Sequence, residues 1–133
     1  MQYVLMGNPV PLARPRFNYS QRNPRVYDSQ SEQKLIMGIS LAQQHGNMPF
    51  YTGPLILRAT FYLPLAKSMS RRKAALYEDT PHYQRPDTDN LIKMILDCAQ
   101  SVLFHNDSAV AIIDARKVYS SNPRTVFTLE EIK

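Results

Sequence analysis

The chain has 133 residues, a formal net charge of +5 and a single cysteine. That length suits one domain with its own core. The absence of any apolar run near the roughly 18 residues of a membrane span, of a leader-like start at Met1-Gln2-Tyr3 and of a disulfide framework leads us to expect a soluble, cytosolic, non-exported protein. Residues 1–86 carry 11 Lys or Arg against 4 Asp or Glu, a balance of +7, whereas residues 87–133 carry 5 against 7, a balance of −2; the split suggests a polyanion drawn to the first part and held over acidic groups in the second, although a basic surface also serves solubility alone.

In chain order, Tyr3 to Met6 reads as a strand ended by Gly7-Asn8-Pro9. Up to Asp28 follow Pro9, Pro11, Pro15 and Pro24 with Arg14, Arg16, Arg22 and Arg25, interleaved with Phe17, Tyr19 and Tyr27. Proline at that density forbids a helix, and a long loop that also holds aromatics reads as functional rather than as a linker. Ser29 or Ser31 can cap a helix to about Gln44, with Leu35, Ile36, Ile39 and Ala42 as its apolar stripe and His45-Gly46-Asn47 as its stop. Gly53-Pro54 opens a strand from Leu55 to Leu63, closed by Pro64. A short basic helix is predicted over Ser70–Tyr77, then a loop from Glu78 to Arg85 and a helix beginning after Pro86. A strand at about Val110 to Tyr119, a turn at residues 120–123 and a last strand from Thr125 to Ile132 complete the chain. The expectation is one α+β domain over residues 1–133, with a mixed sheet of about four strands and two main helices.

The helix after Pro86 carries the most information. On a helical wheel Asp89, Asn90, Lys93, Asp97 and Gln100 fall within roughly a 100° sector, while Leu91, Ile92, Met94, Ile95, Leu96, Cys98 and Ala99 leave the rest apolar. Such a helix is buried except for one narrow stripe, and a stripe of carboxylates around a lysine reads as the wall of a site. Structural roles compete: Asp87 as N-cap with Asn90 reaching back, Asp89 as complement to the helix dipole, Asp97 as an ion-pair partner of Lys93. As a set, however, Asp87, Asp89 and Asp97, with Asp107 able to fold back toward either end of the helix, repel one another unless a cation lies among them. Few, hard oxygen ligands suit Mg²⁺, with Mn²⁺ as a possible substitute. Such an ion beside a lysine suits phosphodiester hydrolysis.

The string Pro86-Asp87-Thr88-Asp89-Asn90-Leu91-Ile92-Lys93-Met94-Ile95-Leu96-Asp97 resembles the PDxDNLxKxxxD signature of the RusA family of Holliday-junction resolvases, small endonucleases often carried by phages and prophages. Gly7-Asn8-Pro9, Arg14-Pro15-Arg16, Asn106-Asp107, Val110 and Lys117 extend the resemblance from about residue 3 to 118. It implies a homodimer that binds four-way DNA junctions and, with Mg²⁺, nicks two opposing strands in recombination and repair. By position it makes Asp87, Asp89 and Asp107 the catalytic, metal-binding carboxylates and Lys93 the catalytic lysine. One departure stands out: Asn106 replaces the first Asp of the family's usual pair.

Several positions are expected to meet DNA. Arg14, Arg16, Arg22 and Arg25 on the proline-stiffened loop can clamp phosphates, and Arg71, Arg72 and Lys73 form a second basic patch. Tyr83 and Arg85, with His82, stand just before the motif, where an aromatic ring can stack on unpaired bases. Lys117 joins this group. His45 reads as a helix-end residue and His105 as a turn residue beside Asp107. Three alternatives remain open: a non-catalytic basic DNA-binding module, a metal-dependent nuclease for other branched DNA, and a broken PD-(D/E)xK site pairing Asp87 with Asp114 and Arg116 or with Glu131 and Lys133.

Overall fold

Leu55–Leu63 alternates between buried and more exposed residues and forms the central strand of a computed structural model that describes residues 1–13, 16–17, 26–27 and 29–133. Successive side chains of a strand point to opposite faces. Leu55, Leu57, Ala59, Phe61 and Leu63, each no more than 3% exposed, therefore make one continuous apolar surface. Around this strand the elements are β1 (Gln2–Met6), β2 (Arg16–Phe17), β3 (Val26–Tyr27), α1 (Ser31–His45), β4 (Leu55–Leu63), α2 (Arg71–Tyr77), α3 (Thr88–Ala99), β5 (Val110–Tyr119) and β6 (Arg124–Glu131). The main sheet has the order β1-β6-β4-β5, with β4 and β5 parallel and the other pairs antiparallel. The fold is thus α+β with a mixed four-stranded sheet, as expected, and the predicted strand bounds match to within a residue or so.

The apolar face of the sheet is covered by α1 and α3, whose buried residues join Tyr3, Leu57, Phe61, Phe104, Phe127 and Leu129 in one core. The opposite face is polar: Arg124 lies 3.7 Å over the Tyr62 ring, and Arg58 and Arg116 pair with Glu130 and Asp114, each at 3.5 Å. In the predicted loop between β1 and α1, β2 and β3 form a two-residue antiparallel ladder, Arg16 opposite Tyr27 and Phe17 opposite Val26. Arg14, Arg22, Arg25 and the side chain of Arg16 lie outside the described residues. No helix among those described is long and apolar enough to cross a membrane.

One expectation is reversed. Leu35, Ile36 and Ile39, predicted to face the core, are 64%, 61% and 50% exposed. The inward face of α1 holds Leu41 and His45, with Lys34, Met37 and Gln44 half-buried beside them. Its polar groups are satisfied. Gln44 brackets Val4 of edge strand β1, accepting from its N–H and donating to its carbonyl at 2.8 Å each, and Lys34 pairs with Asp97 of α3 at 3.2 Å. His45 receives a 2.8 Å bond at Nδ1 from the Tyr3 hydroxyl and bonds the Pro49 carbonyl through Nε2 at 3.0 Å. Periodicity alone takes apolar residues to be inside; here three polar side chains with specific partners turn the helix the other way.

Candidate active site

Helix α3 is buried as its pattern demands. Leu91, Ile92, Met94, Ile95, Cys98 and Ala99 are in the core, Leu96 is half-buried, and Asp89, Lys93, Asp97 and Gln100 form the exposed stripe with Asn90 partly covered. Two devices fix where the helix begins. The preceding loop runs along the outer edge of β5: Asp79 N–H donates to the Tyr119 carbonyl at 2.8 Å, Tyr119 N–H to Thr80 at 3.0 Å, and His82 N–H to Lys117 at 3.0 Å. Lys117 then clamps the end of that loop, its Nζ donating to the carbonyls of Gln84 and Pro86 at 2.7 and 2.8 Å. A residue expected to touch DNA therefore has a positioning role here, delivering Asp87 to its place.

Asp87 occupies the N-cap position with extended backbone, yet its carboxylate makes no capping bond. Among the described residues neither Asp87 nor Asp89 has an ion-pair or side-chain hydrogen-bond partner, and both are exposed. The purely structural role for Asp87, which needs that bond, is not the one taken. Asp87 and Asn90 line a cavity of about 540 Å³ with Pro11, Leu12, Arg85 and Pro86. Lys93 stands exposed one turn beyond Asp89. Asp97 belongs to the packing of the helices, through Lys34 rather than Lys93.

Asp107 lies elsewhere. It opens the 3₁₀ turn Asp107–Ala109 that leads into β5, and its N–H donates at 3.1 Å to the side chain of Gln100, the residue that ends α3. Twelve helical residues separate the two ends, about 18 Å at 1.5 Å per residue. Of the two ends of the helix toward which Asp107 could fold, it takes the far one. Among the described residues no three His, Cys, Asp or Glu side chains gather as a metal site. Asn106 accepts a 2.9 Å bond from Ser108 N–H and so caps the turn, a task an Asp would do equally well.

The remaining candidates separate by face. Arg71, Arg72 and Lys73 are exposed on α2, which Ser70 caps through a 3.2 Å bond from Lys73 N–H. Tyr83 and Arg85 are exposed, and Arg85 lines the cavity that Asp87 lines. His105 packs on Phe50 at 4.8 Å, and His45 is a core residue. Asp114 is in register with Arg58 on the polar face of the sheet, away from α3, and Glu131 is opposite Leu55, at the other end of β4 from the Phe61–Lys117 pairing. Neither can join Asp87, which removes the PD-(D/E)xK alternative. What the sequence did not reveal is a second cavity, about 550 Å³, that shares Pro11, Arg85 and Pro86 with the first and is lined by Tyr77, His82, Tyr83 and Tyr119. These rings come from three separate segments, and only the loop pairing along β5 collects them.

At one end of this mixed α+β sheet, the start of a buried helix presents two exposed carboxylates, Asp87 and Asp89, with Lys93 one turn further on. The family model of the endodeoxyribonuclease RusA matches residues 6–130, and the chain belongs to that family. It is also 26% identical over 137 residues to the uncharacterized protein YqaN of Bacillus subtilis (strain 168), across 99% of this chain and 96% of that protein.

Proposed function

We propose that this protein is a Mg²⁺-dependent, structure-selective endodeoxyribonuclease that resolves Holliday junctions by paired phosphodiester hydrolysis, working as a homodimer in the cytoplasm. The observation that carries this reading is Asp87, a carboxylate at a helix N-cap that leaves the cap unmade and, with Asp89, faces solvent next to Arg85 and Lys93. Two exposed carboxylates at one helix start, unpaired among the described residues, fit a hard divalent cation. A module that merely held DNA would gain nothing from acidic groups beside its phosphates. When bound, Mg²⁺ or Mn²⁺ polarises a phosphoryl oxygen and makes water a better nucleophile. Asp87 and Asp89 would hold it, Lys93 would offset the charge that grows on the phosphate, and Arg85 would fix the strand's backbone.

The distance to Asp107 supports the dimer. β5 is an edge strand with Ile112 and Ile113 half exposed, and its outer edge is covered by residues 79–82 only near Lys117–Tyr119. If two β5 strands pair antiparallel across a two-fold axis through the open stretch 111–116, the start of each lies beside the end of the other. The partner's Asp107 then approaches Asp87 and Asp89, and the third carboxylate arrives from the second chain. The same two-fold matches the symmetry of a four-way junction. Arg14, Arg16, Arg22, Arg25, Arg71, Arg72 and Lys73 are the phosphate clamps we assign to the surrounding arms.

The test is complementation on synthetic four-way, three-way and linear DNA in Mg²⁺. Asp89→Asn and Asp107→Asn should each be inactive as homodimers, and their mixture should nick one strand of a four-way junction, because one composite site per heterodimer is intact. Equal nicking of linear DNA would overturn junction selectivity. A dead mixture would overturn the shared site, and a strict monomer in sedimentation with and without DNA would overturn the dimer.

A further inference from the structure

The aromatic cavity beside the carboxylates is built around a buried ring. Tyr119 ends β5 at 6% exposure. Tyr77 meets it edge-on at 5.5 Å and 79°, Tyr83 edge-on at 6.2 Å and 84°, and His82 packs against it at 4.6 Å. Tyr83 is nevertheless 74% exposed. It is held by one edge contact while most of its ring stays open to solvent, so covering the core does not account for it. An amphipathic ring fixed in that attitude is a ready stacking surface.

Three further features indicate what stacks there. The cavity shares Pro11, Arg85 and Pro86 with the one that Asp87 lines, so a single nucleotide can have its phosphate at one and its base in the other. Asn8 and Gln84 also line it, and their amides offer donors and acceptors to a base edge. Finally, Nδ1 of His82, a residue of the cavity wall, is buried with no hydrogen-bond partner among the described residues. Burial, and then the nearby Lys117, lowers the basicity of that imidazole and so disfavours its protonated form.

Building on the proposed function, we infer that this cavity receives one unpaired nucleobase, from a nucleotide adjoining the phosphate held over Asp87 and Asp89, stacked on Tyr83 and read at its edge by Asn8 and Gln84. The pocket selects which phosphodiester is cut. In continuous duplex the base would have to leave its stack; at a crossover the stacking is already interrupted, so the cost of extrusion is smallest there. Preference for junctions and preference for sequence then share one physical origin.

The experiment places 2-aminopurine at each position flanking the crossover of a synthetic four-way junction and follows its emission on binding in metal-free buffer. Nicking of unlabelled junctions in Mg²⁺ is mapped in parallel. Emission should change at one position, keep that change with Tyr83→Phe and lose it with Tyr83→Ala. Asn8→Ala with Gln84→Ala should reduce the ratio between the best-cut and worst-cut dinucleotide by roughly tenfold, the scale of one base contact. No emission change at any position, or the same change in Tyr83→Ala as in the native protein, overturns the pocket, as does an unaltered cleavage ratio. Loss of all Mg²⁺-dependent nicking by the native protein with the emission response intact would overturn the proposed function and leave the pocket standing.

Discussion

Helices α1 and α3 pack against each other over one face of the same sheet, yet they treat their apolar residues in opposite ways. α3 buries every apolar residue around its circumference apart from half-buried Leu96 and shows a thin polar stripe to solvent. α1 exposes Leu35, Ile36 and Ile39 and turns Lys34, Gln44 and His45 inward. The difference teaches that a polar residue near a core is decided by its partner. On α3, among the described residues, the side chains of Asp89 and Lys93 have none and face out as a candidate site, whereas Asp97 pairs with Lys34 and Gln100 accepts from Asp107 N–H. On α1 the inward polar groups have Asp97, Val4 and Tyr3, and so they face in as structure.

The largest effect is expected on the stripe of α3. Asp89→Asn should lower Mg²⁺-dependent junction nicking on the order of a thousandfold or more, while junction affinity in metal-free buffer stays unchanged or tightens because a repulsive charge is gone. A nicking assay beside a binding titration checks both. Binding lost in step with cleavage would make Asp89 part of the structural set, like Asp97, and would break the contrast between the helices.

The next prediction sharpens the orientation of α1. Leu41→Ala should destabilise the fold by about 2–5 kcal/mol, whereas Ile36→Ala, on the exposed face, should stay within about 0.5 kcal/mol in the isolated chain. Urea unfolding of both variants gives the comparison, and the reverse ranking would mean that α1 packs as its periodicity suggests. Gln44→Leu should cost about 1–3 kcal/mol, since it strands the N–H and carbonyl of Val4 on the edge strand even though it adds an apolar residue to the helix. A stabilised variant would show that Gln44 does not hold α1 in its present rotation.

The smallest effect is a pH dependence in the loop that delivers α3. Burial, and then Lys117, holds the His82 imidazole below its ordinary range near 6.5. The unfolded chain therefore takes up a proton at a higher pH than the folded one. The stability owed to neutral His82 is fully present above about pH 6.5 and is lost as the pH falls through the lowered value. Thermal melts from pH 7.5 to 5 should show this decline, and His82→Phe should flatten it. A native melting curve that rises toward acid would contradict the direction.

Much of the molecule was written in the order of its residues. The alternation of Leu55–Leu63, the β-rich run Val110–Tyr119, the Ser70 cap and the near-complete apolar circumference of α3 each express a local rule, the two-residue or 3.6-residue period or a capping side chain, and each was legible without knowledge of any neighbour. The narrow stripe with Asp89 and Lys93 was legible for the same reason, because burial of all other sides is encoded in the helix itself. Only the tertiary structure decided the rest. Whether Asp87 caps, which way α1 turns, that Lys117 holds the loop at Pro86, that Asp107 falls at the far end of α3 and that Tyr77, Tyr83 and Tyr119 share one cavity all depend on partners distant in sequence. A hydrogen bond or ion pair stabilises only when both members meet, and no period along the chain records where the second member will be.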